Sequence, residues 1–213
     1  MNSQLIIEYL NKLFPDAKAE LDYKNDFELL VAVVLSAQTT DIAVNKVTKE
    51  LFKKYPTPET MKDAEVSDLE QIIKTIGLYK TKAKNIKSLA TDLYEKYDSK
   101  VPDQRNQLEA LSGVGRKTAN VVLSNAFNIP AFAVDTHVTR VSIRLGIAEE
   151  KDNVLKIEEK LMDYFPKETW LKLHHQFIFF GRYHCTARKP KCQICELSKV
   201  CPFFQKQIAS NPK

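Results

Sequence analysis

Glycine is scarce in this chain. There are five in 213 residues, at positions 77, 113, 115, 146 and 181, too few for a turn-rich all-β fold, whose tight turns need residues that accept positive φ. Long apolar runs are missing as well. The longest, LLVAVVL from Leu29 to Leu35, falls far short of the roughly 20 residues of a membrane helix. Nothing near Met1 resembles a secretion signal, because Lys12, Asp16 and Lys18 arrive before any continuous apolar segment, so a cytosolic protein is expected. No cysteine occurs before position 185, and no repeat or sustained two-residue alternation is visible. What remains is ordinary for a folded protein: 44% apolar and 28% charged residues, with length enough for one large domain or two small ones.

Charge is unevenly placed. From Cys185 onward, Arg188, Lys189, Lys191, Lys199, Lys206 and Lys213 face a single acid, Glu196, so this tail carries the whole net charge of +5. A basic tail on a neutral body suggests a polyanionic partner, with a merely solubilising tail as the plain alternative.

The punctuation is that of helices. Ile6, Ile7, Leu10 and Leu13 form a stripe that stops before Pro15. Asp26 is expected to cap a helix through Ala37, buried on most sides, and an amphipathic helix runs from Asp41 to Tyr55. Ser67 with Glu70 reads as a capping box opening a helix that ends at Gly77. Helices follow over Thr81–Tyr97, Asn106–Leu111, Arg116–Phe127, Thr136–Leu145, Asn153–Phe165 and Lys167–Phe180. The expected fold class is all-α, with short connections.

Two segments carry chemistry. In LSGVGRKTANVVLSNAF, Gly113 and Gly115 flank Val114 between two helices, and Arg116 and Lys117 open the second helix. Such a turn can aim backbone N–H groups outward together and bind phosphate at a helix N-terminus. It is not a nucleotide-triphosphate loop, because Arg116 separates Gly115 from Lys117 and position 110 is alanine. A protonated amine at a helix start stands against the dipole field and beside Arg116, which favours the neutral, nucleophilic form of Lys117. A solvent-facing lysine on an ordinary helix corner is the alternative. In AVDTHVTR, Asp135 precedes the next helix; it reads as a helix cap, or as a carboxylate able to face the amine across a cleft.

The second segment holds all four cysteines, 185, 192, 195 and 201, as C-x6-C-x2-C-x5-C. Four thiols so close in a reducing compartment point to metal ligation, by zinc or by an iron–sulfur cluster.

LSGVGRKTANVV followed by AVDTHV, together with this cysteine spacing, resembles the endonuclease III branch of the helix-hairpin-helix/Gly-Pro-Asp superfamily of DNA base-excision glycosylases. The strict Gly-Pro before the aspartate is replaced here by IPAFAVD. The resemblance implies a six-helix barrel domain at 22–132, with its hairpin at about 105–124, and a cluster domain formed by 1–21 with 133–213. It implies a bifunctional DNA glycosylase and AP lyase that removes oxidised pyrimidines and nicks 3′ to the abasic site by β-elimination. In it, Lys117 attacks C1′ and Asp135 assists. Cys185, Cys192, Cys195 and Cys201 hold a 4Fe-4S cluster. Gln38 in LSAQTTD and Leu78 in TIGLYK enter the duplex, while Gly113, Val114, Gly115 and Arg116 grip phosphate. His137, Arg140 and Arg182 contact the DNA backbone or serve the fold, and Arg188, Lys189 and Lys191 meet DNA from the cluster loop. The implied partner is double-stranded DNA with damaged bases or abasic sites, the implied state a monomer, and the implied place the cytoplasmic nucleoid. Three rivals stand beside it: a mismatch or adenine glycosylase, whose members generally lack a lysine at this position; a noncatalytic DNA-binding module; and a cluster protein for electron transfer.

Overall fold

The computed structural model describes residues 2 to 210, so Lys213 of the basic tail lies outside the described residues. Among them every regular element is helical, and no helix is long and apolar enough to cross a membrane. The chain divides into two compact units. One is Glu20–Ile129; the other joins the N-terminal segment up to Ala19 with the chain from Pro130 onward.

The Glu20–Ile129 unit contains α2 (Asp26–Leu35), α3 (Asp41–Lys54), α4 (Pro58–Lys62), α5 (Val66–Ile73), α6 (Tyr79–Lys96), α7 (Arg105–Glu109) and α8 (Arg116–Phe127), α1 belonging to the other unit. Its centre is α2, buried at every residue from Phe27 to Leu35. An all-round apolar helix has nowhere to sit but a core, and α8 packs directly against it through Ala119, Val122 and Leu123. α4 and α5 pack on α6, which presents Ala83, Ile86, Leu89, Ala90 and Leu93 inward.

Three local expectations are corrected. The cap of α2 is Asn25, whose side chain accepts from the Glu28 N–H, while Asp26 takes the first helical position, where an acid still meets the dipole favourably. Ser67 is not a cap: burial of Leu69 and Ile73 draws Val66 into α5, and Glu65 stands at its start without a side-chain bond. The left-handed residue after α5 is Leu78 (φ 59°), not Gly77. The short α4 was not expected. Its signal, a Thr57 capping box with Pro58 in the first turn, is present in the sequence, but five residues are too few to show a helical period.

The second unit contains α1 (Ser3–Leu13), α9 (Thr136–Arg144), α10 (Val154–Tyr164), α11 (Trp170–Phe179) and α12 (Pro202–Ser210). α1 docks on α11, and Gln176 fixes its end by donating from Nε2 to the Phe14 carbonyl and Asn11 Oδ1, both at 3.0 Å. Phe132, Phe165 and Phe177 meet edge to face in the core, with ring centroids 5.6–5.7 Å apart. The helix expected over Lys167–Phe180 begins as a 3-10 turn at Lys167–Thr169 and ends in a π-helical turn at Phe180–His184. Gly181 sits in that turn because a Cβ there would stand 2.8 Å from His137 Cβ. Its absence lets α9 come into contact.

Candidate functional site

In the Glu20–Ile129 unit, α7 and α8 form a hairpin closed by Leu111 to Gly115. Leu111 and Val114 are buried and staple the turn to the core, and Val114 N–H donates to the Leu111 carbonyl at 3.1 Å. Neither the side chain nor the N–H of Val114 is therefore presented outward. The two glycines differ. Gly113 has φ +80° and lies against Asn85 and Val34, whereas Gly115 is extended (φ −100°, ψ 178°) with open space where a Cβ would be. Gly115 is thus not required by a left-handed backbone, and it leaves open space at the start of α8.

No side chain caps α8. Its first N–H groups lack an internal acceptor and point at the exposed tip, which is the arrangement that receives an anion. Arg116 and Lys117 are both exposed there, and among the described residues the Lys117 amine has no hydrogen-bond or ion-pair partner. Ser88 and Ser112 hydroxyls meet at 2.7 Å, and Arg105 bonds Asn120, so the hairpin is tied to α6 and within itself.

Two further loops of this unit carry exposed residues in left-handed conformation. Gln38 (φ 54°) follows α2, and Leu78 (φ 59°), 58% exposed, opens α6. A β carbon on Gly77 would lie 3.9 Å from the Gln38 carbonyl oxygen, so the loops adjoin. A large apolar side chain held in solvent on a disfavoured backbone is a feature stability does not explain.

In the second unit Asp135 caps α9. Its Oδ1 accepts from the His137 and Val138 N–H groups, both at 2.8 Å, which leaves Oδ2 without a hydrogen bond among the described residues. Arg140 is half-buried and donates to the Gly181 carbonyl (2.6 Å) and the Cys185 carbonyl (3.3 Å), with His137 Nδ1 at 3.2 Å. It is engaged with the backbone around the first cysteine. Arg182 lies over the Tyr183 ring, and Arg188, Lys189 and Lys191 are exposed.

The four thiols line one cavity, walled by Leu145, Phe180, Leu197, Phe203 and Phe204. Burial pushes the Cys192 and Cys195 thiols up, and the other thiols add to it. Gathered thiolates in apolar surroundings need cationic iron to become stable, so the donor set fits a 4Fe-4S cluster. No three His, Cys, Asp or Glu side chains among the described residues are grouped to hold a single ion. The sulfurs surround the cavity instead of converging on one point. Arg144, which the sequence reading overlooked, reaches this loop: Nη1 donates to the Thr186 carbonyl (2.8 Å) and lies 3.4 Å from Cys185 Sγ, and Nη2 donates to the Ala187 carbonyl (2.9 Å). Its only sequence signal is its position one helical turn after Arg140.

Residues 31–167 match the model of the HhH-GPD superfamily of base excision DNA repair proteins, and residues 185–201 the iron–sulfur binding domain of endonuclease III. Endonuclease III of Bacillus subtilis is 52% identical over 96% of this chain and 93% of its own, and that of Escherichia coli K12 is 46% identical over 97% and 99%. The fold superposes on a trapped endonuclease III–DNA covalent intermediate with a TM-score of 0.92 at 52% identity, covering 98% of this chain and 99% of that one. A thermostable thymine-DNA glycosylase at 25% identity gives 0.86, covering 95% and 96%. The chain belongs to the endonuclease III family of the HhH-GPD superfamily of base excision DNA repair proteins.

Proposed function

We infer that this chain is a bifunctional DNA glycosylase and AP lyase of base excision repair. The observation that carries the reading is Lys117: an exposed amine, without a partner among the described residues, in the first turn of a helix whose start has no side-chain cap. Its nitrogen attacks C1′ of the damaged nucleotide as the C1′–base bond breaks and the base leaves with the bonding pair. Asp135, with one oxygen held by the helix start and the other open, helps deprotonate the amine and balances positive charge on the sugar. Ring opening gives a Schiff base. Loss of a C2′ proton then expels the 3′ phosphate by β-elimination, and water releases the lysine.

The substrate is double-stranded DNA carrying oxidised pyrimidines or abasic sites. The hairpin at about 105–124 grips phosphate through the amides of Gly115 and Arg116, with Gly113 and Val114 setting the turn. Gln38 and Leu78 fill the gap left by the flipped nucleotide. His137, Arg140, Arg188, Lys189 and Lys191 serve the DNA backbone directly or by holding the cluster loop. Cys185, Cys192, Cys195 and Cys201 hold the 4Fe-4S cluster, which when bound supplies a rigid support for that loop's cations. Residues 22–132 act as the barrel domain and 1–21 with 133–213 as the cluster domain, in a monomer working at the nucleoid. Borohydride trapping on an abasic duplex tests the assignment: wild type gives a covalent adduct, and Lys117→Gln gives none while still binding the duplex. An undiminished adduct from Lys117→Gln refutes it.

A further inference from the structure

One buried charge of the Glu20–Ile129 unit has no part in the reaction above. Lys82, on α6, is 4% exposed, and among the described residues it forms no ion pair. Burial pushes its pKa down. A buried unpaired ammonium is costly to a fold, so its surroundings bear on why it is there. Nζ donates to Thr39 Oγ1 at 2.7 Å, and that hydroxyl donates in turn to the Ala37 carbonyl at 3.3 Å. Thr39 N–H donates to the Ser36 carbonyl at 3.0 Å. These bonds bracket Gln38 on both sides while its backbone is left-handed (φ 54°). At the other end, Lys82 N–H donates to the Leu78 carbonyl at 3.0 Å, the first bond of α6, and Leu78 is the second left-handed residue. Lys82 thus touches both loops whose exposed side chains are held on disfavoured backbone, the Gln38 loop through its ammonium on Thr39 and the Leu78 loop through its main-chain N–H.

We propose that Lys82 is a positioning residue that clamps the Gln38 and Leu78 loops into a single rigid wedge, so that both side chains enter the duplex together. The clamp rests on the wedge role given to those two residues above. Without the ammonium, Thr39 loses its donor, Gln38 is free to leave its left-handed conformation, and Leu78 enters the stack unaccompanied.

The test uses the cluster-loaded full chain carrying Lys82→Met, Thr39→Val or Lys82→Arg, with a second arm of Gln38→Ala and Leu78→Ala. The probes are a duplex with 2-aminopurine opposite a tetrahydrofuran abasic analogue, a duplex with one oxidised pyrimidine, and a duplex with a preformed abasic site. Unstacking is hardest when the base is still attached. Lys82→Met and Thr39→Val are therefore expected to slow excision of the intact lesion about 10-fold and nicking of the preformed abasic site less than about 3-fold. Both should lower the 2-aminopurine signal, with affinity for undamaged duplex and melting temperature unchanged. Lys82→Arg restores excision, and the Met/Val double variant loses no more than either single. Unchanged excision overturns the clamp; so does an equal fall in both activities accompanied by a lower melting temperature, which marks Lys82 as part of the fold only. If Gln38→Ala and Leu78→Ala leave excision intact while Lys82→Met lowers it, the wedge reading itself fails.

Discussion

Replacing each hairpin glycine by alanine should separate stability from DNA binding, because the structure assigns the two positions different physics. At Gly113 the backbone is left-handed (φ +80°), which costs a non-glycine residue about 1–2 kcal/mol. The new methyl would meet Asn85 Nδ2 at 2.9 Å, Asn85 Cβ at 3.1 Å and Val34 Cγ1 at 3.1 Å, adding about 1–3 kcal/mol of overpacking. Lower freedom of the unfolded chain returns about 0.4–1 kcal/mol. The net loss is about 2–4 kcal/mol, a fall in melting temperature of about 5–15 °C for a chain this long. At Gly115 the backbone is extended and the methyl enters open space. The loss of a good N-cap residue, about 0.5–1 kcal/mol, is offset by the same unfolded-state gain, so stability stays within about 0.5 kcal/mol. In the function proposed above, that open space is where a phosphate would approach the first amides of α8. Gly115→Ala should therefore weaken binding to an abasic-analogue duplex about 10-fold, or about 1.4 kcal/mol. Thermal unfolding by circular dichroism and anisotropy titrations at one fixed salt concentration read the two effects. Equal losses of stability in the two variants, or full-strength DNA binding by Gly115→Ala, refute the reasoning.

Two further outcomes are expected. Arg144→Leu removes a guanidinium that donates to carbonyls of the Cys185 loop and stacks 4.3 Å from the Phe203 ring. Charged hydrogen bonds contribute about 1.5–3 kcal/mol each, so the purified variant should hold clearly less iron and acid-labile sulfide, while the Gly113 hairpin and its unit melt normally; full cluster occupancy would sink this. His175 is pushed down to about 4 by burial, from an unfolded value near 6.5. Since its folded-state value is the lower, the unfolded chain takes up the proton first as pH falls. Stability should drop by about 1–2 kcal/mol between pH 6.5 and 5, and urea titrations of His175→Asn should show that slope flattened; an unchanged slope counts against the assignment.

Helix type was written plainly into the chain. Arg116–Phe127 begins and ends where the sequence pattern places it, and Gly146, left-handed at φ +74°, closes α9 as a terminal glycine should. Caps were less legible. Asn25 and Asp26 are both able to cap, and only the pull of the buried Phe27–Leu35 run decides that the helix starts one residue later than the capping asparagine. The cysteine spacing pointed to a ligated group, yet it said nothing of Arg144, which reaches Cys185 across 41 positions. Lys82 gave no signal at all. In the sequence it is one of several lysines on an amphipathic helix, and it differs from Lys80 and Lys84 only in being turned inward toward Thr39, 43 positions away.

The all-α class, the helix-start lysine just past a glycine pair, and the four-thiol set were legible in the chain because each is a pattern of neighbouring residues, the longest being the 17 from Cys185 to Cys201. Left to the folded chain were which glycine is left-handed, which arginine reaches the first cysteine, and that Lys82 meets the Gln38 loop through its ammonium on Thr39 and Leu78 through its main-chain N–H. Those are set by contacts between distant segments, whose free energies depend on packing and burial that no local pattern encodes.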